Sequence, residues 1–185
     1  MTVTTQQAGA INPPAQREAE FEAVFLQHYQ RVYGVLYRLT GDRAEAEDLA
    51  LEAFLKLWQD PPGRDGSLGG WLYRVATRLG FNALRAGQRR RNHETAAGRD
   101  FWGQGDTPDP PSEVERRDER AAVRAALGRM AERDAQLLIL RHSGLSYREI
   151  AASLGVSPGS IGTLLARAER AFEQAYVGGG FDASR

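Results

Sequence analysis

From Phe21 onward, apolar residues return at steps of three and four. Phe21, Val24, Phe25, Val32, Val35, Leu36 and Leu39 fall on one stripe, the pattern of an amphipathic helix. Thr40-Gly41 predicts its end, and Asp42 with Glu45 three residues later predicts a capped second helix. There Ala46, Leu49, Ala50, Ala53, Phe54 and Leu57 share a face, while Glu45, Asp48 and Glu52 occupy another. Pro61-Pro62-Gly63 stops this helix, and GRDGSLGG reads as a glycine-rich loop. A third helix is predicted from Trp71 through WLYRVATRLGFNALRAGQRRR. Residues 1–17 have no period and read as a tail, and 96–117 read as a flexible acidic linker punctuated by Gly and Pro. Periodicity resumes over 118–176, and 177–185 read as a second tail. With no repeat and no convincing strand, the expected fold is all-α, with two small helical domains at 18–95 and 118–176.

The most specific local signal is SYREIAASLGVSPGSIGTLLAR, beginning at Ser146. Ser146 with Glu149 makes a capping box, and Ala151 is small where two crossing helices would approach. Gly155 suits a tight turn that needs positive φ, and Ser157-Pro158 pairs an N-cap with proline at the first helical position. Ile150, Leu154, Val156, Ile161 and Leu164 supply the apolar contacts between the helices. That combination predicts a helix-turn-helix whose second helix, about Pro158 to Tyr176, enters the major groove. Its early exposed positions are Gly159, Ser160, Gly162, Thr163 and Ala166. No bidentate guanine reader sits there, so weak base discrimination is expected.

Composition enters through the distribution of charge. The chain has 185 residues with 24 basic and 24 acidic side chains, and Lys56 is its only lysine. The neutral sum conceals polarity. Residues 42–60 carry six acids against Arg43 and Lys56, whereas Trp71 to Arg91 carry six arginines and no acid. With no cysteine, thiolate metal sites, disulfides and thiol catalysis are excluded. No aliphatic run approaches the ~20 residues of a membrane span, and the N-terminus lacks the basic start and apolar core of a secretory signal. A cytoplasmic protein without membrane insertion is expected.

Three segments in order, DRAEAEDLALEAFLKLW, WLYRVATRLGFNALR and LGRMAERDAQLLILRHSGLSYREIAASLGVSPGSIGTLLARAERAF, resemble those of bacterial RNA polymerase sigma factors. The nearest class is the extracytoplasmic-function (ECF) group, and the likeness covers about residues 20–95 and 115–176. It implies that Asp42, Glu45, Asp48, Leu49, Glu52 and Phe54 form the surface that docks on the clamp helices of the polymerase largest subunit. It implies contact with the −10 element by Arg64, Ser67, Trp71, Arg74, Arg78, Arg85, Arg89, Arg90 and Arg91, where an aromatic beside arginines suits single-stranded DNA. The loop from Arg64 to Gly70 matches the segment that captures a flipped base. Leu72 and Tyr73 fit the core as well as the DNA face. Contact with the −35 element falls to Ser146, Tyr147, Ser157, Ser160, Thr163, Arg167 and Arg170. In the family the linker threads the basic RNA path, a role that Asp106, Asp109, Glu113 and Glu115 suit, as they also suit a solvated spacer.

The implied partners are core RNA polymerase, through its largest and second-largest subunits, promoter DNA and an anti-sigma factor, with the free chain a monomer. Gly162 and Leu164 stand where many members have basic residues, and Arg78 where asparagine is frequent. These departures leave −35 discrimination and flipped-base identity open. A stand-alone helix-turn-helix regulator would explain residues 120–176 but leave the acidic and arginine-rich helices without a purpose. An enzyme is not expected. His28, His93 and His142 have no sequence partner resembling a catalytic pair, and no phosphate loop, cofactor motif or metal-ligand spacing occurs.

Overall fold

A computed structural model describes residues 14–63, 67–96 and 111–179. Among these residues the all-α expectation is borne out. The order is α1 (Pro14–Thr40), α2 (Arg43–Gln59), α3 (Leu68–Ala96), α4 (Pro111–Arg129), α5 (Glu132–His142), α6 (Tyr147–Leu154), a 3-10 turn (Pro158–Ser160) and α7 (Ile161–Val177). Three elements start earlier than periodicity predicts: α1 at Pro14, α3 at Leu68 and α4 at Pro111. Proline is well placed at a helix start because its missing N–H would be unpaired there anyway. As a result Glu113 and Glu115, expected in the linker, lie on α4.

The N-terminal half is a three-helix layer. Val32, Val35, Leu36 and Leu39 of α1 meet Ala50, Ala53 and Phe54 of α2 and Leu72, Tyr73 and Ala76 of α3 in a continuous buried cluster. Beside this stripe runs a ladder of aromatic rings at four-residue spacing. Phe21–Phe25, Phe25–Tyr29, Tyr29–Tyr33 and Tyr33–Tyr37 centroids are 6.3, 4.9, 6.4 and 6.0 Å apart. Phe54 is set against it, 4.7 Å from Phe25 and 6.2 Å from Tyr29. The ladder continues toward the N-terminus as Phe21 packs edge-on to Trp58 at 5.2 Å, with Arg17 stacked 4.6 Å over the same indole. Those contacts explain why α1 extends well ahead of its first predicted turn.

Local chemistry sets the helix ends. Gly41 turns the chain at φ 74, and Asp42 then accepts the Glu45 N–H at 2.8 Å as the N-cap of α2. Ser67 does the same for α3, its Oγ accepting the Gly70 N–H at 3.1 Å. In the C-terminal half, α4, α5, α6 and α7 bury Leu127, Leu137, Leu140, Ile150, Ile161 and Leu165. The two halves also touch each other, principally α3 against α6.

Phe54 carries a testable consequence. It is 2% exposed, whereas Leu51 on the same helix is 53% exposed. Phe54→Ala is expected to cost about 3–5 kcal/mol. Leu51→Ala should stay within about 0.5 kcal/mol of the parent. Urea midpoints of the two variants check this, and equal losses would contradict the placement.

Candidate nucleic-acid and polymerase interfaces

On α2 the structure separates residues that the sequence groups together. Asp42 and Asp48 are exposed, Glu45, Leu49 and Glu52 are half-buried, and Glu52 pairs with Lys56 at 3.2 Å. Phe54 must be removed from the docking surface, because it is wedged between the aromatic ladder and the core. Two exposed leucines of α2 fall outside the residues that the sequence singles out. Leu51 and Leu55 are 53% and 52% exposed and one helical turn apart. Flanked by Asp48 and Glu52, they give α2 an apolar strip with a charged rim, a suitable composition for a protein contact. The available signal was a leucine pair lying off the buried stripe.

Helix α3 buries one side and offers the other. Leu72 and Tyr73 are fully buried, which resolves them as core residues. The Tyr73 hydroxyl lies 3.2 Å from His28 Nδ1. Burial, then the Arg31 charge, hold the His28 imidazole below its ordinary pKa. Trp71 is half-buried, and Arg78, Arg89, Arg90 and Arg91 are exposed along the outer side. Two expected DNA contacts have internal partners instead. Arg74 donates from Nε to the Ser153 carbonyl at 2.7 Å and from Nη2 to the Ala152 carbonyl at 3.1 Å. Arg85 pairs with Glu132 at 2.8 Å. Arg64, Asp106 and Asp109 lie outside the described residues.

The helix-turn-helix is built by local hydrogen bonding. The Ser146 N–H and hydroxyl both donate to Glu149 Oε2 at 2.7 Å, while the Glu149 N–H donates back to Ser146 Oγ at 3.3 Å. Gly155 closes α6 at φ 65, a conformation cheap only for glycine. Ile150, Ala151 and Ile161 are buried where the helices cross. Ser157 has the extended backbone of an N-cap without a capping side-chain bond, and Ser160 Oγ donates to its carbonyl at 2.7 Å. The recognition segment therefore opens with a 3-10 turn before α7. Tyr147, Thr163 and Arg170 are exposed, and Arg141 lies 5.7 Å over the Tyr147 ring. Arg167 is held by the largely buried Asp134 at 2.6 Å, so it braces α7 against α5.

Comparison with known proteins matches this division. Residues 24–90 match the family model of Sigma-70 region 2, and residues 120–172 match Sigma-70 region 4. The chain is 30% identical over 165 residues to an RNA polymerase sigma-H factor of Pseudomonas aeruginosa, covering 84% of this chain and 85% of that protein. The chain belongs to the RNA polymerase sigma factors. Its class follows from the ECF RNA polymerase sigma factor SigE of Mycolicibacterium smegmatis, 35% identical over 152 residues and 80% of this chain. This sigma factor spans 57% of that relative's length, and 48% of the ECF sigma factor SigG of Mycobacterium tuberculosis. The fold also resembles the structure of CnrH in complex with the cytosolic domain of CnrY, with TM-score 0.57 and 18% identity over 89% of this chain and 94% of that one. Among the described residues of this ECF sigma factor, no helix is long and apolar enough to cross a membrane.

The capping box makes the stability of α6 pH-dependent. Burial pushes the Glu149 carboxyl upward, but the Ser146 bonds and the Arg31 guanidinium outweigh it and hold it below its ordinary pKa. A depressed folded value stabilises the fold above the unfolded carboxylate range. That contribution disappears as pH falls through the folded value. Glu149→Gln is expected to flatten this acid-side loss, and Ser146→Ala to cost about 0.5–2 kcal/mol at neutral pH. Melting curves across acid and neutral pH measure both effects. A Gln variant that follows the parent's pH profile would refute the first.

Proposed function

We propose that this chain directs core RNA polymerase to promoters and helps melt them in the cytoplasm. The acidic and apolar strip of α2 docks on the polymerase largest subunit, and the second-largest subunit holds the remainder of the bound factor. The outer side of α3 takes the −10 element, Trp71 offering a ring for unpaired bases to stack on, Ser67 standing at the helix start and Arg78, Arg89, Arg90 and Arg91 neutralising phosphate. The helix-turn-helix takes the −35 element. Thr163 and the α7 N-terminus contact phosphate, consistent with modest base readout. No chemical step is assigned to the chain, because melting requires binding energy and not bond making.

One observation carries this reading: a region 2 and a region 4 on one chain, in that order, with α2 acidic and α3 rich in arginine. A stand-alone regulator would need the helix-turn-helix alone. CnrH forms a complex with the cytosolic domain of CnrY. A protein partner of that kind is proposed as the inhibitor here, with the uninhibited chain monomeric.

Reconstitution with sigma-free core polymerase tests the proposal by promoter-directed transcripts from a genomic template library. A folded factor giving no such transcript would defeat it. Leu51→Asp combined with Leu55→Asp is expected to weaken core binding about tenfold or more. Affinity equal to the parent would remove the α2 assignment. Changing Arg89, Arg90 and Arg91 together to Ala should weaken holoenzyme binding to DNA. The slope of log affinity against log salt should fall by roughly 3.

A further inference from the structure

The ends of α1 and α7 meet α3 and α4 around a cleft of about 470 Å³ that shares no lining residue with α2 or α6. Arg91 of α3 and Arg124 and Arg129 of α4 line it, against one acid, Asp118. We propose that this cleft binds a nucleoside diphosphate, the arginines holding its phosphates and Tyr176 meeting its nucleoside. The site stands apart from the promoter-directing reading, sharing only Arg91 with the DNA side of α3.

Glycines seat two of the guanidinium groups. Arg124 lies over Gly41 at the turn between α1 and α2, where a Cβ would stand 2.6 Å from its Cζ. Arg129 packs over Gly179 just beyond α7, where a Cβ would collide with it, and its Nη2 donates to the Ala175 carbonyl at 2.8 Å. Backbone contacts thus position both side chains and leave their charge uncancelled. Burial, then the Arg91 charge, hold the Arg124 guanidinium below its ordinary pKa, with Tyr37 opposing them and Arg120 adding to them. An anion in the cleft would relieve that repulsion. The remaining wall makes room for one. Ala121, Ala122 and Ala125 present one-carbon side chains along α4, and Tyr176, stacked on Phe172 at 5.6 Å, brings a ring and a hydroxyl to the α7 end.

Charge and shape select the ligand class. A carboxylate offers two oxygens to a single guanidinium fork, whereas a diphosphate offers oxygens to several forks at once. A phosphate ester carries about −1.5 to −2 at neutral pH, which suits a wall where arginines outnumber acids. The cleft lies within the ~300–1,000 Å³ range of small-molecule sites, with room for a nucleoside beside the phosphates. A nucleic-acid strand is met instead by an open groove that tracks its backbone, not by a cleft set among four helices.

Isothermal titration of the full chain with ADP, GDP, guanosine and pyrophosphate tests the site. ADP or GDP is expected to bind saturably, about tenfold tighter or more than guanosine or pyrophosphate. Arg124→Gln should weaken nucleotide binding about tenfold. Ala121→Leu keeps every charge and fills the cleft, so it should weaken binding about as much, and it decides the matter if Arg124→Gln does not fold. Arg133→Gln removes the same charge from an exposed position of α5 outside the cleft and should stay within about twofold of the parent. No saturable nucleotide binding, or binding that Ala121→Leu leaves unchanged, would overturn the cleft as a site. An equal loss in Arg133→Gln would reduce it to general charge attraction and overturn it as well. Pyrophosphate binding as tightly as the nucleotides would overturn the nucleoside assignment.

Discussion

A helix of 29 residues such as α3 can satisfy two masters because successive side chains rotate by about 100° around its axis. Leu72, Tyr73, Ala76 and Phe81 point into the N-terminal layer. Arg74, Arg78, Arg85 and the arginines beyond point away from it. Burial of the first set holds the second set in register, since a rigid helix fixes the spacing of everything it carries. The acidic strip of α2 is held in the same manner, through Phe54 and Ala50 beneath it. Both candidate binding surfaces are therefore outer faces of one packed layer, joined by the buried stripe of α1, with the aromatic ladder supporting the α2 side.

Much of this was legible in the residues. Caps and breakers such as Asp42, Gly41, Ser146 and Gly155 act within a few residues of themselves, so spacing alone locates them. The helix-turn-helix was readable for the same reason. Phe54 was harder, because an apolar residue on an acidic helix belongs equally to a core or to a sticky surface. Only the packing of α1 decides it, where Phe21, Phe25 and Tyr29 close over the Phe54 ring. Leu51 and Leu55 were missed by the converse error, since leucines are presumed to be inside.

The arginines show a second limit of sequence reading. Their excess over Trp71 to Arg91 indicates an anionic partner but does not name it. Arg85 finds Glu132, and Arg74 finds two carbonyls of another helix. Arg167 finds Asp134 inside its own half. A guanidinium satisfies carboxylate, carbonyl and phosphate with the same planar fork. The same side chains therefore suit protein and nucleic acid alike.

The closeness of Gly70 to Ala152 bears on interchangeability. Two domains joined only by a tether could be swapped between relatives freely, each bringing its own DNA preference. Here a transplanted helix-turn-helix would also bring its own residues to positions 149, 152 and 153. A side chain at position 70 would meet the backbone and Cβ of residue 152 at 3.0 Å, and any base at 149 would repel Arg31. The two halves are thereby matched parts, and the surface of one cannot drift without regard for the surface of the other.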